Sequence, residues 1–170
     1  MSTRVMRVVV GGLALVVAAG CASMGGKKMT AEEAIDARKA LMKEQGAAWK
    51  NVQDKTKAGQ ITALVPDAEK LVSTSKEIPK LFPEGSLDPQ KSNAKPEIWQ
   101  KRAEFDAAAK NLETWSVKLR DTAKTGNAEQ TQAVVKDFGR QACGTCHQPF
   151  REPPKQPYRP EVRTSRCHEP

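Results

Sequence analysis

The 170-residue sequence predicts an all-α protein, an antiparallel four-helix bundle, on three observations. Apolar residues recur at three- and four-residue spacing in four segments, β-branched runs of period two are absent, and the first three segments end at Gly59, Pro79 and Gly126. Only 38% of the chain is hydrophobic and 5% aromatic, so a large self-sufficient core is not expected from the side chains alone.

The first segment opens at Thr30 with Glu33 three residues on, a capping-box pattern, and carries Ile35, Leu41, Met42, Trp49 and Val52 to about Lys57. The second, around Ile61 to Ile78, places Leu64, Val65, Ala68, Leu71 and Val72 on one side. Pro66 lies inside it, so the helix either begins there or is kinked there. A long loop from Leu81 to Lys95 follows. The third helix opens near Pro96 and carries Ile98, Trp99, Phe105, Ala108, Leu112, Trp115 and Leu119. The fourth opens near Asn127 and carries Val134, Val135, Phe138 and Ala142.

Both ends of the chain differ from this middle. Arg4 and Arg7 precede an apolar run from Val8 to Ala19, too short to span a bilayer comfortably, and residues 1–20 read as a secretory signal. Ala18-Ala19-Gly20-Cys21 resembles a bacterial lipobox, in which Cys21 would be lipidated, although Ala18 stands where Leu is more usual. The alternative is an ordinary signal that leaves Cys21 as a stray thiol. In the lipoprotein reading residues 21–29 are a tether, stably anchored because more than one acyl chain is buried. Residues 30–151 are then the domain. Residues 152–170 carry Pro153, Pro154, Pro157, Pro160 and Pro170 with little apolar content, and are expected to form an extended, disordered tail.

With Arg4 and Arg7 removed, 26 basic residues stand against 20 acidic ones, a net charge of +6. Acidic exported redox proteins or anionic lipid suit such a chain, and nucleic acid is not met outside the cytoplasm. Much of the charge also fits a solvated helix surface.

Cys143-Gly144-Thr145-Cys146-His147 carries the chemistry. Two Cys three apart followed at once by His is the pattern of c-type haem attachment. On a helix, positions i and i+3 face one way, so Cys143 and Cys146 can each bond one of two neighbouring vinyl groups of a single haem c, and His147 becomes an axial iron ligand. A buried haem would also supply missing apolar mass. A thioredoxin-like site would need a βαβ setting that the pattern lacks. A zinc site would need a fourth ligand from Cys167 or His168 in the tail. Thr164 stands where a second attachment motif ending at Cys167-His168 would need Cys, so one covalent haem is implied. Cys167 is left as an odd thiol that either pairs between chains or is inert.

Beyond this motif, Pro79-Lys80-Leu81-Phe82-Pro83-Glu84-Gly85, Lys95-Pro96-Glu97-Ile98-Trp99 and Cys146-His147-Gln148-Pro149-Phe150-Arg151 occur in an order that resembles the class II cytochromes c, the cytochrome c-prime family. The resemblance covers about Thr30 to Arg151. It implies a four-helix bundle with haem near the C-terminus, His147 as proximal ligand and the first helix over the distal face. It also implies Arg38 near the haem propionates, though a solvated helix residue is the plainer reading of that position. Family members often pair as homodimers through their first two helices. Pro149 departs from the pattern, and its missing N–H predicts that the last turn ends early.

Aligned on Ala37-Arg38-Lys39-Ala40-Leu41-Met42, the first helix puts Met42 at the family's distal position. The Leu41-Met42-Lys43 run and Gly46 are most similar to the low-spin, methionine-ligated cytochrome c-556 type. The residues point the same way. Ile35, Met42 and Trp49 share one helix face at spacing seven, Met24 and Met29 fall in the tether, and Gly46 leaves room for a porphyrin to approach. The plainer reading is that Met42 fills the core. His168 is a competing sixth ligand. Function follows from coordination: His147 and Met42 together make an electron carrier, whereas an open distal face makes a binder of nitric oxide or carbon monoxide. No distal His is available to handle a peroxide proton, so the sequence is not read as an enzyme. Its expected place is the periplasm of a Gram-negative bacterium, as a membrane-anchored lipoprotein.

Overall fold

The computed structural model describes residues 28–153. The signal segment, Cys21, most of the tether, and the tail from residue 154 with Cys167 and His168 lie outside the described residues.

Helix α1 (Ala31–Lys57) starts at the capping box. The Glu33 backbone N–H donates to Thr30 Oγ1 at 3.2 Å, and the Thr30 N–H donates to the Glu33 carboxylate at 2.8 Å, so two otherwise unpaired donors are satisfied. Gly59, at φ +72°, then turns the chain through a region that disfavours any side chain. After a single 3₁₀ turn at Thr62–Leu64, α2 (Val65–Ser75) has Pro66 in its first turn, so the helix begins at the proline. Lys55 Nζ reaches Asp67 at 2.6 Å and Asn51 Nδ2 donates to the same carboxylate at 3.0 Å, tying the end of α1 to the start of α2.

The third predicted helix is two. A short α3 (Glu97–Gln100) is separated from α4 (Arg102–Lys124) by Lys101, at φ −120° and ψ 49°. At this break the Trp99 indole N–H donates to the Pro83 carbonyl at 2.9 Å, and the Arg102 guanidinium donates to the carbonyls of Phe82 and Pro79 at 3.0 and 2.8 Å. Those bonds to the preceding loop help offset what a continuous helix would gain. Asn127 caps α5 (Ala128–Phe138) by accepting from the Gln130 N–H at 3.0 Å.

The fourth helix is also uneven. Gly139–Gly144 forms a π turn, and only then does α6 (Thr145–Phe150) resume. α6 ends at Phe150, one residue past Pro149, with Arg151 already extended. The Arg151 N–H donates to the His147 carbonyl at 3.2 Å across the proline, the Lys95 N–H donates to Phe150 O at 3.1 Å, and the Glu152 N–H donates to Asn93 O at 2.8 Å. The loop thus holds the helix end that the proline would loosen.

The bundle closes as a ring, α1 against α2 and α5, and α4 against α2 and α5. Its interior holds Val52, Leu64, Leu71, Phe105, Leu119 and Phe138, all buried. Trp49 stacks on Phe138 with centroids 4.6 Å apart, while Phe105 meets Phe82 and Phe150 edge-on at 4.8 and 5.4 Å. Among the described residues no strand forms, the Ala94–Arg151 bridge being isolated, and no helix is long and apolar enough to cross a membrane.

Two substitutions should separate core from cap. Phe105→Ala is expected to cost about 3–5 kcal/mol of unfolding free energy and Thr30→Ala about 1 kcal/mol, measured by denaturant titration.

Candidate haem-binding site

One cavity of about 580 Å³ opens between α1, α4, the 89–94 loop and the motif turn. Cys143, from the π turn, and Cys146 and His147, from α6, line it together with Arg38 and Met42 from α1. Ile78, Phe82, Ile98, Phe105, Leu112 and Phe150 give it apolar walls. A large apolar concavity with a few convergent polar groups is what a planar cofactor requires.

Both thiols are partly buried and unpaired. Burial pushes the Cys143 thiol up, and burial followed by the neighbouring Cys143 raises that of Cys146 to about 11, so both are held as protonated thiols near neutrality. His147 stands at the open side of the cavity. The protein packed around its ring, and then the Arg151 charge, lower its pKa and favour the neutral imidazole that can bind a metal. Among the described residues no three His, Cys, Asp or Glu side chains are grouped to hold a metal ion, and no βαβ unit surrounds the Cys pair.

Arg38 is the most unusual group in the wall, because it is only 4% exposed and, among the described residues, no carboxylate is in ion-pair contact with it. Its terminal nitrogens donate to Ser86 Oγ and Ser86 O at 3.2 and 2.9 Å, and the guanidinium lies 4.8 Å from the Phe82 ring centroid. Nε has no partner. Burial lowers the Arg38 pKa, with the Asp88 charge acting in the opposite direction. A buried cation with an orphaned donor on the cavity wall fits a cofactor that brings carboxylates. The apolar walls, paired thiols and neutral imidazole fit the rest of a haem.

Met42 is half-buried on that wall, whereas Met29, the other methionine among the described residues, is 42% exposed near the start of α1. Gly46, expected to leave room for a porphyrin, is not among the residues that line the cavity. It is exposed, and a Cβ built on it meets nothing within 4 Å, because the next cavity-lining position on α1 is Gln45. Phe150 is buried against Phe105, and Arg151 is an exposed cation at the cavity rim.

Sequence reasoning missed Ser86 and Asn111. Ser86 holds Arg38 across 48 residues, and Asn111 Nδ2 donates to Gln141 O at 2.6 Å and to Thr145 Oγ1 at 3.1 Å. No local spacing announces either contact. The π turn was equally hidden, although Gly139 and Gly144 at its ends mark a segment of low helix propensity.

A family model described as cytochrome c′ matches residues 33–151. Cytochrome c′ of Pararhodospirillum photometricum is 29% identical over 124 residues, covering 71% of this chain and 98% of that one. Cytochrome c-554 of Cereibacter sphaeroides is 36% identical over 76 residues, 44% of this chain and 48% of the relative, so the match spans about half of that protein. The crystal structure of cytochrome c′ from Rubrivivax gelatinosus superposes with a TM-score of 0.64 at 26% identity, covering 72% of this chain and 97% of that one.

In the haem-free chain, alkylation of Cys146 by iodoacetamide is expected to be slow at pH 8 and to keep accelerating until about pH 11. A rate that levels off near pH 8.5 would show that the thiol is not held in a desolvated wall.

Proposed function

The chain belongs to the cytochrome c′ family, whose cofactor is haem c, and from that membership we propose that it is a monohaem electron-transfer protein with low-spin iron held between His147 and Met42. When bound, haem c supplies a one-electron ferric/ferrous couple. Cys143 and Cys146 hold it covalently, His147 provides the proximal imidazole, and Arg38 neutralises a propionate.

The observation that carries this reading is that Met42 lines the same cavity as the Cys143, Cys146 and His147 side chains. A thioether is a soft ligand, and a long, capped helix fixes the backbone that carries it. Such a ligand favours the ferrous state, raises the potential and keeps the coordination change on electron exchange small. A carrier needs these properties, and they leave no open site for turnover.

A second reading has one observation behind it. A cytochrome c′ variant from Alcaligenes xylosoxidans, which shares this fold at 23% identity and TM-score 0.64, is a nitric oxide complex. If Met42 only packs in the wall, this chain would be a gas-binding haem protein of that kind.

The family is periplasmic in Gram-negative bacteria. We place this chain there through export by residues 1–20, with Cys21 as lipid anchor, 21–29 as tether, 30–151 as the redox domain and 152–170 as a tail. Its partners are exported redox proteins. Another cytochrome c′ of this fold, at 22% identity, is described as having a ligand-controlled dimer dissociation, and a homodimer through α1 and α2 is the corresponding proposal here.

The haem-loaded protein is expected to show low-spin optical and magnetic spectra in both oxidation states, with the weak sulfur-to-iron band in the ferric form. Met42→Ala should turn the iron high-spin, lower the potential and make ferrous carbon monoxide uptake fast. A parent protein that is already high-spin, and unchanged by Met42→Ala, would decide for the gas binder.

A further inference from the structure

Two polar side chains are buried on the face that α1 turns to the cavity. Arg38, Gln45 and Val52 stand seven residues apart and are 4%, 9% and 0% exposed, and the first two line the cavity together with Lys39 and Met42. A cofactor carboxylate answers the burial of Arg38, but nothing yet answers that of Gln45. Gln45 Nε2 donates to Thr74 Oγ1 of α2 at 3.2 Å, the one hydrogen bond of this side chain among the described residues. The Thr74 hydroxyl donates in turn to the carbonyls of Lys70 and Leu71 at 2.7 and 3.3 Å. With its single hydrogen spent there, Thr74 can only accept from Gln45, and this fixes the –NH₂ end of the amide toward α2. A primary amide carries two N–H donors, so one N–H stays unpaired in a residue that is nine-tenths buried, a cost that an acceptor would remove.

Side chains on an α-helix lean back over the preceding turn, and the cavity-lining residue one turn before Gln45 is Met42. A thioether sulfur has no hydrogen to give and can only accept. When one of its lone pairs is committed to a metal, the other is still open to an N–H. We infer that Gln45 is a positioning residue for the Met42 ligand: anchored to α2 through Thr74, its amide donates the second N–H to the thioether and steadies the sulfur on the iron. This rests on Met42 being the sixth ligand. A donor on the free lone pair also draws electron density from the sulfur, and hydrogen bonds around the ligands are one of the means by which a protein sets a haem potential, here toward the ferrous state.

The test uses the full haem-loaded chain as the parent and as Gln45→Leu, Thr74→Val, Met42→Ala and the Gln45→Leu/Met42→Ala double variant. The readouts are the reduction potential, the ferric sulfur-to-iron band, the rate of ferrous carbon monoxide uptake and the melting temperature. Gln45→Leu keeps the bulk and removes the donor. It is expected to move the ferrous-to-ferric ratio at a fixed applied potential about fivefold toward ferric, and to speed carbon monoxide uptake about fivefold, the factor that one lost hydrogen bond supplies. Thr74→Val, which releases the amide from its anchor, should move both in the same direction. In the Met42→Ala background Gln45→Leu should change neither, because the group it acts through is gone. A low-spin parent in which Gln45→Leu lowers only the melting temperature would make Gln45 a tie between α1 and α2, overturning the inference while leaving Met42 as ligand. A change in uptake that persists without Met42 would overturn it as well, since Gln45 would then act on the incoming gas. Should Gln45→Leu not accumulate, an unchanged potential and uptake rate in Thr74→Val would overturn it equally. A high-spin parent would overturn the Met42 reading, and this inference with it.

Discussion

Apolar faces from α1, α4, α6 and the 3₁₀ turn at Ile78–Leu81 converge on one cavity without closing on one another. A large planar hydrophobe buried in that space gains about 25 cal/mol for each Å² of apolar surface removed from water. The remaining architecture serves this constraint. The Phe82, Phe105 and Phe150 rings pack edge to face beside the cavity, and Trp49 on Phe138 closes the bundle further along α1. Cofactor and core are therefore one hydrophobic unit.

The loop from Phe82 to Pro96 is irregular, yet it is tied at several points besides the Trp99 and Arg102 bonds to its start. Ser86 accepts from the buried Arg38, Lys91 pairs with Glu32 at 2.7 Å, and the 93–95 backbone bonds the end of α6. The Lys91–Glu32 pair is exposed and contributes little. The Arg38 contact matters more, because a guanidinium out of water is costly, and among the described residues two acceptors on Ser86, the Phe82 face and the more distant Asp88 charge offset that cost. Such an arrangement is best explained by an anion supplied by the cofactor, which would make the loop part of the binding site.

Covalent attachment asks more of the backbone than packing does. A haem that merely filled the cavity would tolerate small shifts, whereas two thioethers and an axial imidazole within five consecutive residues do not. Around these residues the backbone has a wide turn, a hydrogen bond from Asn111 of α4 and a proline-containing final turn pinned by the loop. Family membership and the solved relatives account for the bundle and the haem. The contacts at Asn111, Ser86 and Pro149 are the local arrangements that shape the site in this chain.

Periodicity and capping residues made the four amphipathic segments legible, and the boundaries of α1 followed from Thr30, Glu33 and Gly59, because these signals act over one turn of chain. The attachment motif was legible for the same reason, since its chemistry lies within five residues. Tertiary structure alone decided the break at Lys101, the π turn at Gly139–Gly144, the survival of α6 through Pro149 and the exposure of Gly46. The first three depend on partners 16 or more residues away, Pro83 for Trp99, Asn111 for Gln141, Lys95 for Phe150. Spacing along a chain records which residues share a face, but the hydrogen bonds that overrule local propensity are chosen only when the helices have met.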